Sequence, residues 1–456
     1  MNRCAVLALA LVLTFLVVAT GPLAYALPAD DGPPTWEQLD ARPIPEWFDD
    51  AKLGIFIHWG VYSVPAWGPK GKYAEWYWHD LMDPKSETRT FHDAVYGPKF
   101  QYQDFAPLFR AEMFDPNRWA DVLAASGAKY VVLTSKHHEG FCLWPNPQSW
   151  NWNSVDIGPH RDLCGELSEA VKAKGLKMGF YYSLYEWYHP DYTTNVAKYV
   201  DQHMLPQIKD LVTRYKPSIV WTDGEWEHDS DVWRSREFLQ WLYTEAGIPD
   251  VVVNDRWGKD CRGRHGGYFT TEYGNTYAAE GAAPKKHSWE ECRGIGKSFG
   301  YNRNEDVADY STPTELVHLL VDTVSAGGAL LLDIGPTGDG RIPVIMQERL
   351  TQLGDWLKTN GEAIYATRAW RIAKEGDVRY TQGKDGTVYA IVLKWPGGPL
   401  TLTAPRAAAD AKATLLGGDG VPVDTKVEGG QLVITLPANP PKAIDHAFAF
   451  KLSGVE

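Results

Sequence analysis

The sequence predicts an α/β chain: a (β/α)8-like (TIM-type) barrel followed by a small C-terminal all-β sandwich domain. Three observations carry that reading. Short apolar runs recur from residue 53 to residue 336, with helical patterns between them. The runs are apolar almost throughout rather than alternating, as in strands buried on both faces. After about residue 365 the helical periodicity stops, and short alternating runs follow with turn residues between them.

The elements follow in chain order. Residues 1–26 read as a signal peptide: Arg3 supplies the positive start, Val6 to Ala19 is nearly all apolar, and Ala24, Tyr25 and Ala26 form a small-residue cleavage pattern. The mature chain is expected to begin near Leu27 and to be exported, so secreted, periplasmic or lumenal. A retained anchor is the alternative, but the run is short for a membrane span. The barrel is expected over 27–360. Its strand candidates are 53–60, 129–138, 176–183, 218–224, 250–257, 267–273 and 328–336. Helices are expected over 115–128, 162–175 and 312–328, each with a polar cap at its start and a glycine near its end. A doubly wound open sheet is the alternative topology, but no G-x-G-x-x-G opens any helix. Residues 365–456 form the β domain, with a hairpin around Lys384, Asp385 and Gly386.

Bulk properties narrow the partners. The 456 residues carry 45 basic and 58 acidic groups, a net charge of −13, which argues against nucleic acid or an anionic membrane as a partner. The 20 Trp and 23 Tyr suit stacking on flat apolar faces, including those of sugars, as well as an aromatic-rich core. Cys142, Cys164, Cys261 and Cys292 allow three disulfide pairings and form no C-x-x-C motif. The sequence says nothing of oligomeric state.

Catalytic groups in such barrels sit at the C-terminal ends of strands. Polar and aromatic residues gather there: His58 and Trp59, then Lys136, His137, His138 and Glu139, then Tyr181 and Tyr182, Trp221 and Asp223, Arg256, and Glu272. Asp223 and Gly224 alone make an ordinary turn pair. The convergence of several polar strand ends on one rim favours a functional role. Two chemistries fit. His58, His137, His138 and Asp223 have the side chains of a metal site. Alternatively, Asp223 and Glu272 are the paired carboxylates of glycoside hydrolysis, with histidines, Arg256 and tryptophans binding hydroxyls and ring faces. The abundance of aromatic residues fits the second better.

The segments FIHWGVYSVPAWG, EWYW, SKHHEGFCLW, FYYSLYEW, VWTDGEW, VVNDRWG and SWEECRGIGKSFGYNR together resemble the α-L-fucosidases of glycoside hydrolase family 29, in order across residues 36–360. The resemblance implies a retaining exo-hydrolase that removes terminal α-L-fucose from oligosaccharides or glycoproteins without a metal or other cofactor. It implies Asp223 as nucleophile. It implies His58, Trp59, Glu75, Trp76, His137, His138, Tyr182, Trp221 and Arg256 as pocket residues. Glu272 is favoured as acid/base because it directly follows a strand, with Glu290 as the alternative. Trp59, Trp221 and Trp226 are candidates to meet the C6 methyl group. A lectin that had lost catalysis would need the pocket but neither carboxylate.

Overall fold

The computed structural model describes residues 32–274, 287–418, 423–441 and 445–456. The expected signal peptide and Cys4 lie outside these residues. Eight parallel strands build one sheet: β1 Leu53–Ile57, β2 Tyr130–Lys136, β3 Lys177–Ser183, β4 Ile219–Asp223, β5 Val252–Val253, β6 Phe269–Glu272, β7 Trp289–Gly294 and β8 Gly328–Ile334. Their order is β5-β4-β3-β2-β1-β8-β7-β6, so the sheet's two outer strands are consecutive in the chain. The N–H groups of Gly267 and Tyr268 donate to the carbonyls of Asn254 and Val253, each at 3.1 Å, and draw these two strands together. Only glycine fits at 267, because a Cβ there would lie 1.8 Å from the Val253 carbonyl oxygen.

Seven of the strands fall within the expected runs. β7 was not expected, because its sequence, WEECRG, carries three charged residues. It forms because those charges are paired. Glu290 accepts hydrogen bonds from Tyr130 and Trp221, and Glu291 accepts from Thr271, Gly274 and Arg293.

The six longest helices are α1 Pro116–Ala125, α2 Leu163–Ala173, α3 Leu205–Tyr215, α4 Ser235–Thr244, α5 Pro313–Ser325 and α6 Val344–Asn360. The three expected ones are α1, α2 and α5. Asp115 caps α1 by accepting from the N–H groups of Asn117 and Arg118. Thr312 and Glu315 cap α5 reciprocally, with Pro313 in its first turn. No described helix is long and apolar enough to cross a membrane.

Strand side chains alternate between two apolar layers. Phe56, Tyr130, Val132, Tyr181, Trp221 and Leu331 pack together inside the barrel. Ile55, Ile57, Val131, Phe180, Val220 and Leu332 pack outward in the layer that includes the helices. This two-residue period decides which strand-end side chains face the cavity.

The C-terminal strands are β9 Thr367–Glu375, β10 Val378–Gly383, β11 Val388–Val392, β12 Leu400–Leu402, β13 Ala407–Leu415, β14 Asp424–Glu428, β15 Gln431–Thr435 and β16 Phe448–Val455. They make a five-stranded sheet, β13-β16-β11-β10-β9, and a three-stranded sheet, β12-β15-β14, with antiparallel pairing throughout. The expected hairpin is the β10–β11 pair. β11 is buried on both faces. Val388, Ala390 and Val392 pack on Leu402, Leu432 and Ile434 between the sheets, whereas Tyr389 and Ile391 join the barrel's outer layer. The contact is reinforced where Arg379 pairs with Asp322 of α5 and where Trp356 of α6 donates to the Ala447 carbonyl at 2.9 Å. Cys142, Cys164, Cys261 and Cys292 are all buried, free thiols, so none of the three possible pairings is formed.

Candidate active site

The C-terminal strand ends surround a small cavity open to solvent, and both candidate carboxylates line it. Asp223 ends β4 two residues after Trp221 and so continues the inward face. Its Oδ1 accepts from Arg256 Nη1 at 2.7 Å, and its Oδ2 accepts from the Tyr181 hydroxyl at 3.0 Å. Gly224 follows at φ +74°, and a Cβ there would meet Tyr185 at 2.8 Å and Ser183 at 3.0 Å. The glycine therefore serves the turn and the β3 loop behind it. Arg256 lies 4.4 Å from the centre of the Trp221 ring, and its Nη2 reaches Glu272 Oε2 at 3.4 Å. Burial pulls the Arg256 pKa down, but the Asp223 carboxylate outweighs it, and the guanidinium is held well above its ordinary value. Glu272 also accepts from the Tyr73 hydroxyl at 3.3 Å. Its side chain is 30% exposed.

The histidines flank this carboxylate pair. His138 Nδ1 lies 2.7 Å from Ser183 Oγ. That hydroxyl gives its proton to the Tyr185 carbonyl, so its oxygen accepts from His138 Nδ1–H. His138 Nε2 is then an acceptor, 3.7 Å from Asp223 Oδ2. Burial and then the neighbouring His137 hold the His138 pKa well below its usual value, so the ring is neutral. His58 Nδ1 contacts Asp333 Oδ1 at 2.6 Å, and burial followed by His137 keeps this ring neutral too. Glu75 accepts from Gly300 N at 2.8 Å and from Ser298 Oγ at 3.3 Å, both on Oε2. Its pKa is pushed up to about 7, chiefly by burial. Trp76, His137 and Trp226 complete the predicted residues that line the cavity.

Three of the predicted site residues lie elsewhere. Trp59 follows the outward period of Ile57. Its ring packs 4.9 Å from Trp119 and 5.1 Å from Phe109, and its N–H donates to the Thr337 carbonyl, so it cannot touch a ligand in the cavity. Tyr182 likewise points outward and donates to Gln207 of α3 at 2.8 Å. Tyr181, its neighbour, occupies the pocket position instead. Glu290 is on the inward face but below the cavity, with 0% exposure. Burial outweighs its hydrogen bonds from Tyr130 and Trp221 and pushes its pKa up to about 7.

The metal alternative finds no matching geometry. The ligand atoms of His58, His137, His138 and Asp223 do not converge. Among the described residues the one convergent group is Glu186, His189 and His203. There the Lys136 ammonium already sits 2.7 Å from Glu186 and opposes a second cation.

Comparison with known proteins identifies the family. The family profile described as "Alpha-L-fucosidase" matches residues 26–362, and that described as "Alpha-L-fucosidase C-terminal domain" matches residues 373–453. The chain belongs to the α-L-fucosidase family. "Tissue alpha-L-fucosidase" of Homo sapiens is 46% identical over 465 residues, covering 98% of this chain and 97% of that protein. "Alpha-L-fucosidase" of Dictyostelium discoideum is 46% identical, covering 93% and 95%. The crystal structure of the Thermotoga maritima α-fucosidase in complex with fucose is 37% identical, with a TM-score of 0.80, covering 92% of this chain and 99% of that one.

Within this α-L-fucosidase family member, Phe56, Tyr73, Cys292 and Phe299 line the pocket without having been expected there, and Tyr181, read at its strand end, lines it in place of Tyr182. The strand period from His58 and Trp221 points to Phe56 and Tyr181. No comparable signal marks Tyr73 or Phe299, which lie on loops. Asp333 also went unrecognised, although it ends β8 on the inward face, two residues after Leu331.

Proposed function

We propose that the chain is an exo-acting, retaining α-L-fucosidase that removes terminal α-L-fucose from glycans or glycoproteins through a covalent glycosyl-enzyme intermediate. The observation that carries this reading is the Arg256 bridge, with one guanidinium contacting Asp223 at 2.7 Å and Glu272 at 3.4 Å. The cavity is a small pocket with Trp221 and Glu290 at its base, which suits one terminal sugar ring and hence exo action. In this reading residues 27–360 carry the chemistry and residues 365–456 buttress the barrel.

Asp223 attacks the anomeric carbon, and the bond to the leaving oxygen breaks as Glu272 supplies its proton. Glu272 then takes a proton from water, whose oxygen displaces Asp223 from the same carbon. Two inversions give net retention. Arg256 and Tyr181 orient Asp223, since each donates to one of its oxygens. His138 Nε2 accepts from a sugar hydroxyl. Phe56 and Phe299 offer hydrocarbon surface to the C6 methyl. The structure of the Thermotoga maritima relative in complex with fucose supports the sugar's identity. Proton NMR of 4-nitrophenyl α-L-fucoside hydrolysis tests the mechanism: α-L-fucose should appear first and then mutarotate. If β-L-fucose comes first, the covalent intermediate is refuted and the hydrolase survives.

Export is part of the same proposal. Arg3, the apolar run to Ala19 and the Ala24 to Ala26 pattern support it. N-terminal sequencing of chain recovered outside the cytoplasm should start near Leu27. Recovery of an intact Met1 terminus would refute cleavage.

A further inference from the structure

An aromatic ridge leaves the cavity on one side. Trp226 stands at its lip, 39% exposed, and stacks on Trp76 with centroids 6.1 Å apart and planes 27° from parallel. Trp76 meets His79 at 5.0 Å and Trp187 at 5.2 Å. Trp187 meets Tyr188 at 6.4 Å, and Tyr188 meets Trp78 at 4.5 Å. The ridge draws on three loops, those after β1, β3 and β4, so no single helix or strand accounts for its continuity.

Its inner members are supported from behind. Trp78 stacks on Tyr102 at 4.8 Å and 11°. Trp187 is 6% exposed and packs 5.4 Å from His138. Its outer members are open, with Tyr188 38% exposed and the His79 side chain 49% exposed. His79 Nδ1 lies 3.3 Å from Asp80 Oδ1. Apolar ring faces alternating with a few polar groups are the surface that pyranose rings recognise, since a sugar presents C–H faces and hydroxyl edges.

The ridge also opens from the cavity that holds the candidate acid. Trp76 and Trp226 line the same cavity as Glu272, and the segment that carries Trp76, Trp78 and His79 follows directly on Tyr73, whose hydroxyl donates to Glu272. The oxygen that Glu272 would protonate joins fucose to the rest of the glycan, so the glycan leaves through the mouth that this segment borders.

We propose that the ridge formed by Trp76, His79, Trp187, Tyr188 and Trp78 is a carbohydrate-binding platform for the leaving part of the substrate, seating the sugars on the reducing side of fucose. The platform rests on the fucosidase reading and deepens it: sugars on the reducing side of fucose add binding that simple fucosides lack.

Tyr188→Ala and His79→Ala test it, compared on two substrates. α-L-Fucosyl fluoride has no sugar to place on the ridge. The second substrate is whichever of 2′-fucosyllactose and 3-fucosyllactose the wild type cleaves faster. On the fluoride both variants should keep kcat/KM within about twofold, which also reports intact folding. On the oligosaccharide kcat/KM should fall roughly tenfold, about 1.4 kcal/mol, mainly through KM. Lactose should inhibit the variants more weakly than the wild type. Equal kinetics on the oligosaccharide would overturn the platform, and so would a wild type that turns over the fluoride but neither oligosaccharide. A change in sedimentation without a kinetic change would assign the ridge to contact between copies instead. Failure of the wild type on the fluoride itself would sink the fucosidase reading, which keeps the two claims separable.

Discussion

Trp221 donates its indole N–H to Glu290 Oε1 at 2.8 Å, and the pair forms the floor of the cavity rather than its wall. Glu290→Gln should therefore keep kcat on aryl and oligosaccharide fucosides within about threefold, whereas Glu272→Ala should harm substrates with poor leaving groups most. Glu290 has a folded pKa of about 7, above the ordinary carboxylate value of roughly 4.3. The native state thus holds an extra proton between those values. Stability should fall as pH rises from about 4.5 to about 7 and stay low above that. Glu290→Gln should flatten that slope and raise Tm at pH 8. A loss of 10²-fold or more in Glu290→Gln, confined to poor leaving groups, would return the acid role to Glu290.

Asp223→Ala should lower kcat by on the order of 10³, about 4 kcal/mol of barrier. The substitution leaves Arg256 buried with its 3.4 Å contact to Glu272 as the remaining carboxylate contact, so the site should attract a small anion. Azide should partly restore turnover and yield a fucosyl azide detectable by mass spectrometry. Near-normal activity without azide would remove Asp223 from the mechanism.

Asp333 positions His58 through a 2.6 Å contact between two buried side chains. Asp333→Asn can still hydrogen-bond Nδ1 and should retain most activity. Asp333→Val leaves that nitrogen unpartnered and the ring free to turn, and should raise KM for 4-nitrophenyl α-L-fucoside roughly tenfold, with a smaller change in kcat. Equal kinetics for the two variants would show that the His58 ring needs no such support.

With Trp59 removed from the cavity, Phe56 and Phe299 are its purely hydrocarbon rings. The aryl α-L-galactoside adds a hydroxyl at C6 and should be cleaved roughly 10²-fold less efficiently, since apolar pockets reject an added hydroxyl only moderately. Phe299→Ala should narrow that gap. Equal efficiency of wild type on the two sugars would contradict an apolar C6 site.

The strands were legible because barrel strands are buried on both faces and so read as apolar runs. β7 was not, since its charges are satisfied by Tyr130, Trp221 and Thr271, distant in sequence and close only after folding. The polar strand ends located the rim, but the pair His58 and Trp59 was assigned whole to the site, and Tyr182 was assigned where Tyr181 belongs. His58 and Tyr181 face inward while Trp59 and Tyr182 face outward. The two-residue period counted from the apolar run predicts both outcomes. Loop residues such as Phe299 obey no period, so their place in the pocket depends on tertiary packing alone.

The seam between β5 and β6 bears on how such a site changes over generations. Seven ladders register the strands around the sheet, while the seam is held by a few bonds near Val253 and Gly267. Asp223 sits on a strand with a neighbour on each side, but Glu272 ends a strand with a ladder on one side only. A residue gained or lost between Arg256 and Gly267 falls outside all seven ladders and leaves Arg256 on Asp223. The proposed proton donor can therefore be repositioned while the proposed nucleophile stays put, so new leaving-group preferences can arise without rebuilding the barrel.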